Sequence, residues 1–185
     1  SDSIDDATRS TSRIVRQAAR LREIVDDLLT IARSEAPQRT PADLALLVQG
    51  VAHDVGEHLP SNIAIEVTVS VDDCRCLVDV NQIVAAFRNL LDNAWQAIGD
   101  RAEGRISVNL NGTEDALTVA VTDNGPGMDQ RTLARIFQPF YTERQGGSGI
   151  GTMIIKRVVE AHQGTVDVSS TPGLGTTFTI TLPKR

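Results

Sequence analysis

Past residue 41 the apolar pattern switches repeatedly between a helical and a strand period, and the order of those switches restricts the fold more than any other feature of the chain. Leu44, Leu47, Val48, Val51 and Val55 recur at helical spacing. Ile63, Ile65, Val67, Val69 and Val71 then alternate with Ala, Glu, Thr and Ser, the pattern of a half-buried strand. Cys76-Leu77-Val78 reads as a short second strand. Ile83, Phe87, Leu90, Leu91, Ala94 and Ile98 restore the helical period over about 80–98. Strands are predicted at 105–110 and 116–123, with Asn111-Gly112 in the hairpin turn between them. A short helix near 129–136, an irregular stretch at 137–149 and a helix over 150–162 follow. Two last strands, 165–170 and 176–182, flank Pro172-Gly173-Leu174-Gly175. This order predicts an α/β fold, a two-layer α+β sandwich whose mixed sheet is covered by helices on one face.

Local signals set the helix ends. Thr40-Pro41 reads as a cap followed by proline at the first helical position. Asp79 with Gln82 three residues on resembles a capping box. Gly164 is a terminator for the last helix, and His162 just before it suits the helix dipole as an imidazolium.

Residues 4–34 have a different character. Ile14, Ala18, Leu21, Val25, Leu28 and Ala32 form a heptad seam, widened by Ile24 and Ile31. A helix of that length runs about 45 Å at ~1.5 Å per residue, and it cannot bury its own stripe, so a partner helix is expected. Pro37 and Pro41 interrupt the pattern. The expected division is a long helix over 1–36, a linker at 37–42 and a folded domain at 43–185.

The 185 residues are 41% hydrophobic, with a net charge of −6. No basic tract is dense enough for a nucleic-acid groove or an anionic membrane surface. No apolar run approaches the roughly 20 residues needed to cross a bilayer, and the polar, acidic start is not a signal peptide. The chain is expected to be soluble and cytoplasmic, cut from a longer parent that can itself be membrane-anchored. Cys74 and Cys76 have no further zinc ligands nearby and read as ordinary reduced cysteines at a strand start.

Three short boxes carry the chemistry. Asn89-Leu90-Leu91-Asp92-Asn93-Ala94 places two carboxamides one turn apart on the polar side of a helix, with Gln96 beside them. Asparagine weakens a helix, so the pair is either a solvated face or a pair of hard oxygen donors for a cation such as magnesium. Asp123-Asn124-Gly125-Pro126-Gly127 sets a strand-end carboxylate against glycines, where it can accept from an exocyclic amine of a flat base. Gly147-Ser148-Gly149-Ile150-Gly151 runs straight into a helix, whose first N–H groups suit phosphate. It is neither a dinucleotide fingerprint nor a Walker loop.

Together these boxes resemble the ATP-binding catalytic domain of sensor histidine kinases, within the GHKL ATPase superfamily. Asn89 to Ala94 is similar to the family's N box. Asp123, Gly125 and Gly127 resemble its first glycine box, Phe137-Gln138-Pro139-Phe140-Tyr141-Thr142 its F box, and Gly147 to Gly151 its second glycine box. Gly173-Leu174-Gly175-Thr176 resembles the last glycine box. The likeness covers roughly 43–183, and the helix before it, with Leu21, Val25, Asp27-Leu28-Leu29 and Arg33, resembles the second helix of the kinases' dimerisation hairpin.

The resemblance implies a Bergerat-type sheet with ATP and Mg²⁺ between the N-box helix and the loop at 137–149. It implies that Asn93 coordinates the metal with Asn89 assisting, and that Asp123 binds the adenine amine. Gly125, Gly127, Phe140, Thr142, Gly147, Ser148, Gly149, Ile150, Gly151 and Thr176 are implied to line the nucleotide. Arg144 stands where many relatives carry a lid cation and can pair with the γ-phosphate. Gln96 and Ala97 replace the lysine and aromatic that many relatives carry, a pattern closer to nitrogen-regulation-type sensor kinases, and Gln96 is retained as a nucleotide contact. Thr152 replaces a common leucine, and Trp95 is expected to pack at the edge of the apolar face.

None of the three histidines, His53, His58 and His162, resembles the family's phosphoacceptor. The chain is therefore expected to donate the γ-phosphoryl to a histidine on a preceding hairpin helix, to dimerise through its own long helix, and to serve a response regulator. Two alternatives remain. One is a self-contained GHKL ATPase or serine kinase of the anti-sigma-factor type, which usually carries a glutamate base where this chain has Asn89. The other is a non-catalytic nucleotide-binding dimerisation module.

Overall fold

A computed structural model describes residues 36–143 and 148–185. The long helix expected over 4–34, and with it the dimerisation surface, lies outside the described residues, as do Arg144 and Gly147. Ala36 begins a compact unit that runs to Arg185.

The elements are β1 (Thr40–Asp43), α1 (Leu44–Gly56), β2 (Ile63–Val69), β3 (Arg75–Val78), α2 (Val80–Ile98), β4 (Gly104–Gly112), β5 (Ala116–Asp123), α3 (Gln130–Leu133), α4 (Gly151–Ala161), β6 (Thr165–Thr171) and β7 (Gly175–Pro183). Five strands form one sheet in the order β2-β4-β5-β7-β6, and β1 pairs with β3 in a separate two-stranded sheet. β2 runs parallel to β4, and every other neighbour in the large sheet is antiparallel. The mixed sheet of a two-layer α/β sandwich is thus as expected.

Strand alternation decides which face is covered. Ile106, Val108 and Leu110 of β4, Leu117, Val119 and Val121 of β5, and Phe178, Ile180 and Leu182 of β7 are all buried. Ile83, Phe87, Leu90, Leu91, Ala94 and Ile98 from α2 and Ile154, Ile155, Val158 and Val159 from α4 complete the core. The intervening residues of the sheet form a hydroxyl-rich outer face, where Thr122 and Thr177 hydroxyls pair at 2.9 Å across β5 and β7.

Three local expectations are corrected. Thr40 and Pro41 do not open a helix: Thr40–Asp43 is a strand antiparallel to β3, and Asp43 caps α1, accepting from the N–H groups of Ala45 and Leu46. Asn111-Gly112 is not the hairpin turn. β4 continues through Gly112, and the chain reverses at 113–115, where the Thr113 N–H donates to the Ala116 carbonyl at 2.8 Å. A Cβ at Gly112 would lie 2.8 Å from Leu117 Cδ2, so this glycine makes room for packing. At the end of α4 the left-handed residue is Gln163, with φ 60°, and Gly164 follows it in a position whose Cβ would lie 2.4 Å from the Thr181 carbonyl.

The start of α2 matches its prediction in one half. Asp79 accepts from the Gln82 N–H at 3.2 Å, but its own N–H donates to Nε2 of His162 at 2.9 Å. His162 is buried, and burial holds its imidazole below the ordinary range, with the charge of Arg39 adding to the effect. It is neutral, not the imidazolium expected from the helix dipole.

Candidate functional site

α2 is the spine of the site. Its capped start, its seven buried residues and Gly99 in the left-handed region at its end fix it as nineteen residues of regular helix. The carboxamide side of that helix meets the beginning of α4. Asn89 Nδ2 donates to the Ala85 carbonyl one turn back at 3.0 Å, which leaves its Oδ1 facing the next element. A Cβ on Gly151, the first residue of α4, would lie 2.7 Å from that Oδ1 and 3.6 Å from Asn93 Nδ2. Only a glycine lets the helix start this close to the two asparagines. Ile150, at the cap position of α4, provides no side-chain acceptor for the first-turn N–H groups.

Two turns further along, α2 meets the glycine turn after β5. A Cβ on Gly125 would lie 2.6 Å from Asp123 Oδ1 and 3.4 Å from Ala97 Cβ. Asp123 is 5% exposed and is not the solvated turn residue it could have been. The Gly125 N–H donates to its Oδ1 at 2.7 Å. Burial raises its carboxyl above the ordinary value, opposed by the backbone N–H groups of Gly125 and Thr176 and by the charge of Arg101. Asparagines and carboxylate are thus separated along one rigid helix; eight residues from 89 to 97 correspond to about 12 Å of rise.

The last glycine box closes over the same carboxylate. Thr176 is buried and sits opposite Asp123 in the β5–β7 register. Gly175 has φ 118°, and a Cβ there would lie 1.9 Å from the Asp123 carbonyl oxygen. Gly127 has φ 68° and is pressed against the Thr171 carbonyl, and the Gly173 N–H donates to the Pro126 carbonyl at 2.7 Å. Ser170, which the sequence reading missed, ties these turns together. Its Oγ accepts from the Met128 N–H at 2.7 Å, donates to the Gly175 carbonyl at 3.0 Å and lies 2.9 Å from Thr176 Oγ1. No spacing signal marks a lone strand serine as the hub of two loops.

The F box divides. Phe137 meets Phe178 edge-on at 6.4 Å, with Lys156 5.6 Å above its ring. Phe140 is 67% exposed and has φ 61°; its N–H donates to the Gly149 carbonyl at 3.0 Å. That bond ties Gly149 to the F box, and the Ile150 N–H donates to Ser148 Oγ at 3.3 Å within the same turn. Glu143 Oε1 accepts from both Thr132 Oγ1 at 2.7 Å and the Tyr141 hydroxyl at 2.8 Å, an anchor not foreseen. Gln96 and Thr142 are exposed. Trp95 Nε1 donates to Asp92 at 3.1 Å, in keeping with a packing role at the helix edge.

Among the described residues no cluster of three metal-ligating His, Cys, Asp or Glu side chains occurs, and no helix is long and apolar enough to cross a membrane. Cys74 and Cys76 are free and buried, and burial pushes the Cys76 thiol up to about 11.

A helix of carboxamides, a buried carboxylate on a glycine turn and a glycine-opened second helix thus converge along α2 of this two-layer domain. Residues 78–185 match the model of the "Histidine kinase-, DNA gyrase B-, and HSP90-like ATPase" family, and the chain belongs to that family. It is 33% identical over 186 residues to the sensory histidine kinase/phosphatase NtrB of Vibrio alginolyticus, a match covering 95% of this chain and 52% of NtrB. The chain thus spans about half the length of that relative. The mycobacterial sensor histidine kinase MprB superposes with a TM-score of 0.70 at 29% identity, over 80% of this chain and 98% of that one. Full-length ShkA in complex with AMPPNP superposes with a TM-score of 0.80 at 26% identity, over 95% of this chain and 38% of that one.

Proposed function

We propose that this chain is the ATP-binding and catalytic part of a sensor histidine kinase, which binds Mg-ATP and donates its γ-phosphoryl to a histidine outside residues 1–185. One observation carries the reading: a single helix bears Asn89 and Asn93 against the glycine start of α4 and abuts the Asp123–Gly125 turn with its far end. In this reading Asp123, with Gly125, Gly127 and Thr176 shaping its surroundings, takes the adenine amine. The N–H groups at 148–151, with Gly147, hold phosphate at an uncapped helix start. Gln96, Phe140 and Thr142 flank the nucleotide.

The donor set fits a hard cation. The bond from the Asn89 Nδ2 to Ala85 leaves its Oδ1 facing the glycine start of α4, and a carboxamide oxygen is a ligand type that magnesium accepts alongside phosphate and water. Asn93 would hold Mg²⁺ with Asn89 assisting; the bound ion supplies charge neutralisation on the phosphates. The chain's own residues bind and orient, and Arg144 supplies a cation to the γ-phosphate. Positioning is the main catalytic requirement of phosphoryl transfer.

Asn89 favours this reading over a self-contained ATPase or serine kinase. A carboxamide cannot serve as a general base, so activation of water or of a serine has no agent there. The acceptor histidine, a response regulator and a homodimer through the N-terminal helix complete the proposed assembly. The direct test is incubation of the chain with γ-labelled ATP and Mg²⁺ beside calorimetric titration. Micromolar, Mg-dependent binding with very slow hydrolysis and no label on the protein is expected. Acid-labile phosphate on the chain, or rapid turnover, would overturn the reading.

A further inference from the structure

The chain enters the described unit through Gln38 and Arg39, and both are tied down. The Gln38 N–H donates to Asp79 Oδ2 at 3.0 Å. Arg39 Nη2 donates to the Ala161 carbonyl at 2.7 Å, and its Nη1 reaches Gln163 Oε1 at 3.5 Å. Asp79 is the cap at the start of α2, and Ala161 is the last residue of α4. His162, 2% exposed, bridges the same two points. Nε2 of its ring accepts from the Asp79 N–H at 2.9 Å, and Nδ1 lies 2.7 Å from the Val158 carbonyl. A backbone N–H only donates and a carbonyl only accepts, so Nε2 is bare and Nδ1 carries the hydrogen. This arrangement requires a neutral ring.

We propose that His162, Asp79 and the Gln38–Arg39 segment form an acid-released latch that holds the entering chain against α2 and α4 while the imidazole is neutral and frees it when the imidazole gains a proton. A proton on Nε2 would face the Asp79 N–H donor to donor, and that bond must break. The charged ring turns to the Asp79 carboxylate, where it competes with the Gln38 N–H for Oδ2, while Oδ1 remains with Gln82. The new positive charge also repels the Arg39 guanidinium. One proton therefore weakens both anchors of the entering segment. The charged groups acting on the ring are Arg39 from that segment and Asp79 from the start of α2. On α4 itself, Glu160 pairs with Lys156 at 3.8 Å on the surface. Burial and Arg39 depress the imidazole, against Val158 and Asp79, so closing the latch expels a proton and is favoured as pH rises.

The test is amide hydrogen exchange on the full 185-residue chain at about pH 7.5 and about pH 5.5, corrected for intrinsic exchange, in wild type and His162→Gln. Glutamine keeps an acceptor oxygen and takes no proton. Exchange of the Gln38 and Asp79 N–H groups should rise about tenfold at the lower pH in wild type and stay unchanged in His162→Gln, with β5 and β7 protected throughout. No acid response, the same response in His162→Gln, or simultaneous loss of β5 and β7 protection would overturn the latch. Arg39→Ala gives a second reading on a chain with the native histidine. Removing that charge should move the midpoint of the ring titration, followed by NMR, to higher pH, and an unmoved midpoint refutes the coupling.

Discussion

Replacing Asp123 with asparagine separates what the carboxylate does for the fold from what it does for the ligand. The side chain is buried, and one oxygen is held 2.7 Å from the Gly125 N–H. Burial raises its pKa above the ordinary value of 3.8, so in the free protein ionisation is a cost that is absent at low pH and grows as pH rises through that value. The carboxamide of Asp123→Asn would keep an oxygen for the backbone donors and remove the buried charge. The melting temperature of the unliganded protein at neutral pH should therefore hold or rise. The amide then has no free acceptor for the adenine amine. A hydrogen bond to a charged acceptor contributes about 1.5–3 kcal/mol, which is roughly 10- to 150-fold in Kd. Calorimetric titration with Mg-ATP should show that loss, whereas Mg-tripolyphosphate, which has no base, should bind both proteins alike. Equal ATP affinity in wild type and variant would refute the assignment. An equal loss for tripolyphosphate would show that the substitution had disturbed the loops rather than base recognition.

Asn93→Ala should abolish most of the difference between ATP affinity with Mg²⁺ and with chelator, read in the same calorimeter; an undiminished difference removes Asn93 from the metal site. Gly127→Ala forces a Cβ to 2.1 Å from the Thr171 carbonyl at φ 68°, and urea unfolding should register a loss of about 1–3 kcal/mol. Phe87→Ala, in the core beneath α2, should cost about 3–5 kcal/mol by the same measurement, and a loss under about 1 kcal/mol would contradict its burial. With its thiol pushed up to about 11 and its side chain covered, Cys76 should react with a disulfide reagent only upon unfolding; rapid labelling in native buffer at about pH 8 would show that β3 opens.

The legible and illegible parts of the sequence divide by the range of the interactions involved. α2 could be read as about 80–98 because its cap and apolar stripe lie within or beside nineteen residues. β1 could not, because Thr40-Pro41 carries a strong local helix-start signal and is overruled by pairing with Leu77 and Val78, far along the chain. Asn111-Gly112 failed for the same reason. The dipeptide suits a hairpin turn, but the glycine is required by Leu117 and Val71 packed over it. In the site, Asn89, Asn93, Asp123 and the glycines were visible as motifs. Their convergence was not, since it depends on which turn of α2 meets α4 and which meets the β5 turn. Ser170 and Glu143 were invisible because their importance lies in contacts made by otherwise ordinary residues. His162 was assigned the wrong charge, because the helix dipole could be foreseen and the burial could not.

The helix that carries Asn89 at one point and touches Gly125 two turns later acts as a fixed ruler. Nineteen residues of regular helix do not lengthen when one end is loaded. In the proposed reading, a nucleoside diphosphate and a triphosphate seated at the base end therefore present the same frame along most of that ruler, and the helix by itself cannot report which is bound. The distinction falls to the loop at 148–150 and the start of α4, linked to the F box through the Phe140–Gly149 bond. Phosphorylation state would then be sensed at the α4 end of the gauge and not at its base end.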